Sequence, residues 1–132
     1  MGTLSKELLS QSTYGKAVSI TSTLLSSANC FHVAPSASTW GQPHIMDEVW
    51  VYASNIGVDD ASVTLLFGVS AEMSGLSAGH VASDAMVVTI PYQSGRVLII
   101  DGRLLQGGLS AFAYASTESI VNLDGFVNRI TN

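Results

Sequence analysis

Apolar and polar residues alternate with a period of two through most of this chain, which predicts strands rather than helices. In "DEVWVYASN", Asp47 to Asn55, Val49, Val51 and Ala53 point to one face of a strand. Trp50 and Tyr52 point to the other, with Glu48 and Ser54 at the ends. "SVTLLFGVS" (62–70) sets Val63, Leu65, Phe67 and Val69 on one face. The Asn, Gly and Asp residues of "NIGVDDA" (55–61) predict a turn that joins these two strands as an antiparallel hairpin. "AMVVTIPY" (85–92) and "GRVLIIDG" (95–102) are rich in β-branched residues and are joined by a "QSG" turn. "RLLQGGL" (103–109) ends in a Gly-Gly turn. "SAFAYAS" (110–116) then alternates Phe112 and Tyr114 with Ala111, Ala113 and Ala115. In "SIVNLDGFVNRIT" (119–131) the pair Asp124-Gly125 predicts a turn or bulge.

The earlier part of the chain is weaker in pattern. "KAVSITST" (16–23) and "NCFHVA" (29–34) read as short strands. Residues 35–46 and 71–84 read as long loops, the first punctuated by Pro35, Gly41 and Pro43 and the second rich in Gly and Ser. Leu4, Leu8 and Leu9 fall at near-helical spacing in "TLSKELLSQS", which predicts a short helical turn or an extended arm. The whole therefore predicts an all-β protein, an antiparallel β-sandwich of about eight strands, jelly-roll-like, with a short N-terminal arm. The arm covers 1–15 and the sandwich 16–132. The 132 residues suit one domain and bury roughly two-thirds of the unfolded surface.

Several strands are apolar on both faces. Leu98 and Ile100 oppose Val97 and Ile99, and Met86, Val88 and Ile90 oppose Ala85 and Val87. A sandwich core covers one face of each strand, and no helix is predicted to cover the other. The second cover is expected to be another copy of the chain, a larger partner, or one of the long loops folded back.

Charge sharpens that expectation. Only 11% of residues are Asp, Glu, Lys or Arg, against a usual ~25%. A surface built from Ser, Thr, Asn, Gly and Ala sheds its water cheaply and suits subunit contact. The net charge is −5, and Lys6, Lys16, Arg96, Arg103 and Arg129 are scattered, so no basic stripe for nucleic acid is expected. No run approaches the ~20 apolar residues of a membrane helix. "MGTLSKELLSQ" reads as neither a signal peptide nor a myristoylation site, since Lys6 holds the sixth position. A soluble protein without a membrane partner is expected.

The chemistry-bearing residues are few. His32, His44 and His80 share no metal-ligand spacing, and the single Cys30 forms neither an intrachain disulfide nor a thiolate zinc site. Cys30 and His32 share a strand face, yet no oxyanion loop adjoins "NCFHV", and Cys30 reads as a small buried hydrophobe. "GLSAG" (75–79) spells a nucleophile elbow but lacks the strand-to-helix context of one. Asp59 and Asp60 lack calcium-loop spacing and read as a wet turn. Trp40, His44 and Tyr14 are loop or strand-end aromatics that suit either a sugar platform or a protein interface. No catalytic centre, cofactor or metal site is expected.

"DEVWVYASN", "VTIPYQSGRVLIIDGRLLQGG" and "VNLDGFVNRIT" resemble segments of small virion proteins of tailed bacteriophages. The likeness spans roughly residues 47–131 and consists of strands and turns, with no catalytic or binding residue to carry over. It implies a structural protein of the virion, assembled in the host cytoplasm, that decorates or cements the head. Such a protein binds the major capsid protein, commonly as a trimer, and ties neighbouring subunits together. Leu4, Leu8, Leu9, Trp40, Trp50 and Tyr52 are the candidate contact residues under that reading. A tail, baseplate or fibre-base protein and a carbohydrate- or receptor-binding module are the alternatives.

Overall fold

The computed structural model describes residues 3–35, 45–70 and 85–131. Among these residues the chain forms nine strands. They are β1 (Thr3–Leu8), β2 (Val18–Ile20), β3 (Asn29–Val33), β4 (Ile45–Asn55), β5 (Ala61–Ser70), β6 (Ala85–Ile90), β7 (Val97–Gln106), β8 (Leu109–Ala115) and β9 (Val121–Thr131). A single 3-10 turn, Leu25–Ser27, separates β2 from β3. Two antiparallel sheets result. One runs β1-β9-β4-β7 with β2 also on β9, and the other runs β3-β8-β5-β6.

β1 and β2 behave as one interrupted strand along the same edge of β9. Leu8 lies opposite Phe126 and Val18 opposite Leu123, and residues 9–17 loop out between them. Counted so, the pairs close symmetrically about the β5–β6 connection: β5 with β6, β4 with β7, β3 with β8, and the split strand with β9. A long antiparallel hairpin rolled into two layers has this connectivity, which is that of a jelly roll.

The alternation in β4 has a simple outcome. Val49, Val51 and Ala53 are fully buried between the sheets, and Trp50 and Tyr52 are half-buried on the outside. The core is completed by Val63 and Leu65 from β5, Leu123 and Val127 from β9, and the edge-to-face pair Phe31 and Phe67, whose ring centroids lie 6.0 Å apart. Each such aliphatic side chain contributes about 1.5–3 kcal/mol by leaving water. β8 turns its small residues inward: Ala111, Ala113 and Ala115 are buried while Phe112 and Tyr114 face out.

Three expectations are corrected. Residues 47–55 and 62–70 are not a hairpin. β4 pairs with β7 and β9 in one sheet, and β5 with β6 and β8 in the other, so the 55–61 turn crosses between layers. Its shape comes from the buried Asn55, whose amide donates to the carbonyls of Asp59 and Ile90 and accepts the Gly57 N–H. Asp124-Gly125 does not break β9, which keeps register with β4 from Ile45 opposite Thr131 to Asn55 opposite Val121. Glycine is required there because a Cβ at Gly125 would collide with the carbonyl oxygen of Trp50. Residues 3–8 are not helical but extended, and form an edge strand on β9.

β7 carries two bulges opposite β4. The pairing steps from Val49–Arg103 to Trp50–Asp101, and from Val51–Ile100 to Tyr52–Leu98, leaving Gly102 and Ile99 as the extra residues. This resets the alternation, so that Ile100 and Leu105 both reach the core although an odd number of positions separates them. Gly102 adopts φ +93°, and a Cβ there would lie 3.2 Å from the Trp50 indole. The bulge thereby makes room for that ring.

Candidate functional site

The outer faces of the two sheets are covered differently. On the four-stranded sheet, Leu66 points away from the core and is nonetheless fully buried. Leu25 and Ala28, from the 3-10 turn and its end, pack over it together with Ala85, Phe112 and Tyr114. The chain thus covers Leu66 itself, while Val87 on the same face stays exposed.

On the five-stranded sheet no described segment lies over the outer face. The strand registers arrange it in rows: Leu4, Ile130, Met46 and Gln106; Lys6, Asn128, Glu48 and Leu104; Leu8, Phe126, Trp50 and Asp101; then Asp124, Tyr52 and Leu98. Leu4, Leu8, Leu98, Leu104 and Ile130 are all exposed there, Leu4 at 70% and Leu104 at 56%.

Several polar residues of this face are bound to one another. The Trp50 indole N–H donates to Glu48 Oε1 at 2.7 Å, and the Asn128 amide donates to the same oxygen at 3.0 Å. Those two hydrogen bonds hold the Glu48 carboxyl below its ordinary range. Trp50 stacks on Phe126, and Lys6 Nζ sits 4.2 Å from the centroid of that second ring. The Arg96 guanidinium lies 3.6 Å over Tyr52 while its Nε donates to Asp124 Oδ2 at 2.8 Å. Cation–π contacts of this kind are worth about 0.5–1 kcal/mol at exposed sites. They half-bury the aromatic rings and leave the aliphatic side chains around them open.

A second polar cluster lies inside. His32 of β3 and Asp47 of β4 are both fully buried, with His32 Nε2 2.6 Å from Asp47 Oδ2. Arg129 of β9 donates through Nε to Asp47 Oδ1 at 2.9 Å and through Nη2 to Oδ2 at 3.1 Å. Burial works to raise the Asp47 carboxyl, but the hydrogen bonds from His32 and Arg129 and the charge of Arg129 outweigh it and hold the group below its ordinary range. The hydrogen bond to Asp47 correspondingly raises Arg129 against the opposing effect of burial.

The remaining ring nitrogen, His32 Nδ1, accepts the backbone N–H of Ser10 at 3.0 Å. Both nitrogens are therefore occupied, and the imidazole has no lone pair to offer a nucleophile. Cys30 is not its partner: the thiol points at the His32 carbonyl oxygen, and burial pushes its pKa up, away from the reactive thiolate. The cluster bridges the two sheets and fastens the end of β1. It does not have the form of an acid–base centre.

Of the candidate contact residues, Leu4, Leu8, Trp50 and Tyr52 come together on the outer face of the five-stranded sheet. Leu9 does not join them; it turns inward into the core and is 1% exposed. Trp40 lies outside the described residues, as do His44, His80 and "GLSAG". Among the described residues no group of three His, Cys, Asp or Glu side chains is placed to hold a metal ion. Phe126, Ile130 and Leu104 complete the face and escaped the sequence reading, because only cross-strand register brings them beside Trp50. Comparison of the chain with protein-family models, curated proteins and solved structures returns no match.

Proposed function

We propose that this chain is a non-enzymatic structural protein of a tailed-phage virion, which decorates the head by laying the outer face of its five-stranded sheet on the major capsid protein. The observation that carries this reading is the face itself, where exposed leucines and an isoleucine surround a stacked aromatic pair and the Arg96–Asp124 ion pair. Burial of that apolar area is the favourable term on binding, set against the desolvation of Lys6, Glu48 and Asp101. Four strands spaced ~4.8 Å apart and as long as ~36 Å present roughly 700 Å2, close to the ~800 Å2 per partner of a stable interface. The jelly-roll connectivity, a common architecture of capsid and lectin domains, and the likeness of residues 47–131 to small virion proteins support the same reading. The protein acts as a homo-oligomer, a trimer by that likeness. Its mechanism is linkage: it binds the assembled shell and not the dissociated subunit, and so holds the shell together.

The test is co-sedimentation of the purified protein with shells that lack it, beside dissociated capsid subunits. Binding to shells alone, abolished by Leu98→Asp with Leu104→Asp, is the expected result. No association with shells overturns the head reading, and binding on a glycan array instead would make it a carbohydrate-binding module.

A further inference from the structure

Among the described residues the two sheets end in four edges, and three of these are guarded. An edge strand offers a row of free backbone N–H and C=O groups to any other chain, and proteins blunt it with charges, bulges, short strands or covering segments. On the five-stranded sheet, β1 carries Lys6 and Glu7, and β2 beside it is only three residues long. At the opposite edge β7 has its two bulges, and Arg103 turns inward to lie 4.6 Å from the centroid of the core ring Phe67. On the four-stranded sheet, β3 is interrupted by a bulge between Cys30 and His32, and Ser10 Oγ accepts its Val33 N–H at 2.7 Å.

β6 has none of these devices. Its sequence, AMVVTI, holds no charge, proline or glycine. Its ladder to β5 runs without a shift from Ala61 opposite Ile90 to Leu66 opposite Ala85. Among the described residues β5 is its only strand neighbour, and no turn or loop backbone bonds to Ala85–Thr89 from the other side. Met86 and Val88 pack against the core, while Val87 is 64% exposed on the outer face. We propose that a second copy of this chain closes this edge. β6 pairs antiparallel with β6 of the other copy about a two-fold axis normal to the sheet, and two four-stranded sheets become one continuous sheet.

The occupant follows from the composition of the edge. With no charge on the strand, nothing in it selects an oppositely charged peptide, whereas it is complementary to itself. Residues directly opposite in an antiparallel pair lie on the same face of the sheet. The two-fold axis therefore sets the core-facing Met86 and Val88 of one copy beside the same pair of the other, and the outward Val87 and Thr89 beside theirs. Such a contact uses both edges at once and closes, so a strand that otherwise invites open-ended association ends in a discrete pair. The ladder is short, since six residues span about 20 Å. It is small beside a standard interface, and the pairing therefore depends on protein concentration. It lies on the other sheet from the shell-facing surface, so both contacts can form together.

The experiment is the mass of the full protein by light scattering after gel filtration, at rising concentration, for the wild type and Val87→Lys. Val87 is exposed, so the lysine disturbs no core contact, and it sets like charges against each other across the two-fold axis. An unchanged circular-dichroism melt shows that the variant is folded. The expected result is an assembly with an even number of copies whose mass halves in Val87→Lys. The β6 amides should be protected from hydrogen exchange in that assembly and lose at least tenfold of the protection in the variant. An odd number of copies at every concentration overturns the pairing, as does an even assembly that Val87→Lys leaves whole. A monomer with protected β6 amides also overturns it, and places another segment of this chain on the edge. Shell binding through Leu98 and Leu104 is read separately by co-sedimentation, so failure of the head reading and failure of this pairing are distinguishable.

Discussion

The indole of Trp50 lies nearly parallel to the ring of Phe126, with planes 8° apart and centroids 6.0 Å apart, on the outside of the sandwich. Both residues project from neighbouring strands at the same register position. Their stacking, with Gly102 beneath the indole and Lys6 over the phenyl ring, forms a firm aromatic centre for the apolar face. Interface energy tends to concentrate at such aromatic anchors.

Trp50→Ala and Tyr52→Ser should therefore weaken shell binding more than they weaken the fold. We expect a loss of about 1–2 kcal/mol in unfolding free energy, and a fall in shell affinity of at least tenfold. Urea denaturation and co-sedimentation of the same variants measure the two effects side by side. Variants that merely lose stability, with unchanged binding, would remove Trp50 and Tyr52 from the contact surface.

Gly125 and Gly95 separate close approach from backbone conformation. A methyl group at Gly125 strikes the Trp50 carbonyl in the middle of the β4–β9 ladder, whereas Gly95 has φ +77° and open space around it. Gly95→Ala should cost about 1–2 kcal/mol, the penalty of left-handed backbone for an L-residue. Gly125→Ala should cost about 4 kcal/mol or more. Denaturation midpoints compared in one series distinguish them.

Asp47 links stability to acid. Its carboxyl titrates below the ordinary value in the folded protein and at the ordinary value, about 4, when unfolded. The unfolded chain thus binds the proton first as pH falls. The stabilisation is complete above that ordinary value and is lost as pH drops through the lower folded one. Asp47→Asn removes this part of the acid dependence. At neutral pH it also costs about 3–5 kcal/mol, because Arg129 loses its partner in a largely buried place. Unfolding free energies from pH 2 to pH 7 for both proteins give the comparison.

Leu4 and Leu9 should behave oppositely although both lie near the N-terminus. Leu9→Ala empties a core position and should cost about 2–5 kcal/mol, while Leu4→Ala at the exposed edge should stay within about 0.5 kcal/mol. Deleting residues 2–12 removes Leu9, the Ser10 fastening and the whole of β1. A marked drop in melting temperature is expected, and a truncated protein as stable as the full chain would contradict the placement of Leu9.

What the sequence made legible was whatever a period of two can carry. Val49, Val51 and Ala53 were readable as one face because strand side chains alternate without exception over that stretch. Turn chemistry was misleading where a distant contact was the real cause. Asp124-Gly125 looks like a turn, but the glycine answers to the backbone of Trp50 in another strand. Likewise the 55–61 segment turns the chain without pairing the strands it joins, since both edges of β4 are taken by β7 and β9. His32 lay beside Cys30 in the sequence, and its partners Ser10, Asp47 and Arg129 come from three other parts of the chain. Strands apolar on both faces pointed to a second apolar surface, but only register shows which residues share it. On the four-stranded sheet Leu25 and Ala28 cover Leu66, and the larger group of exposed leucines lies on the other sheet.

Thr3 sits opposite Thr131, and among the described residues the split strand β1–β2 has no sheet neighbour except β9. β1 therefore cannot pair until β9, far along the chain, has been made. Such wide separation in the chain places this protein among the slow-folding β topologies, in the range of milliseconds to seconds. During synthesis the edges of β4 and β3 also stand open until β7 and β8 have emerged. Few charges guard those edges, so the hazard of mispairing between nascent chains is greatest when many copies are made at once.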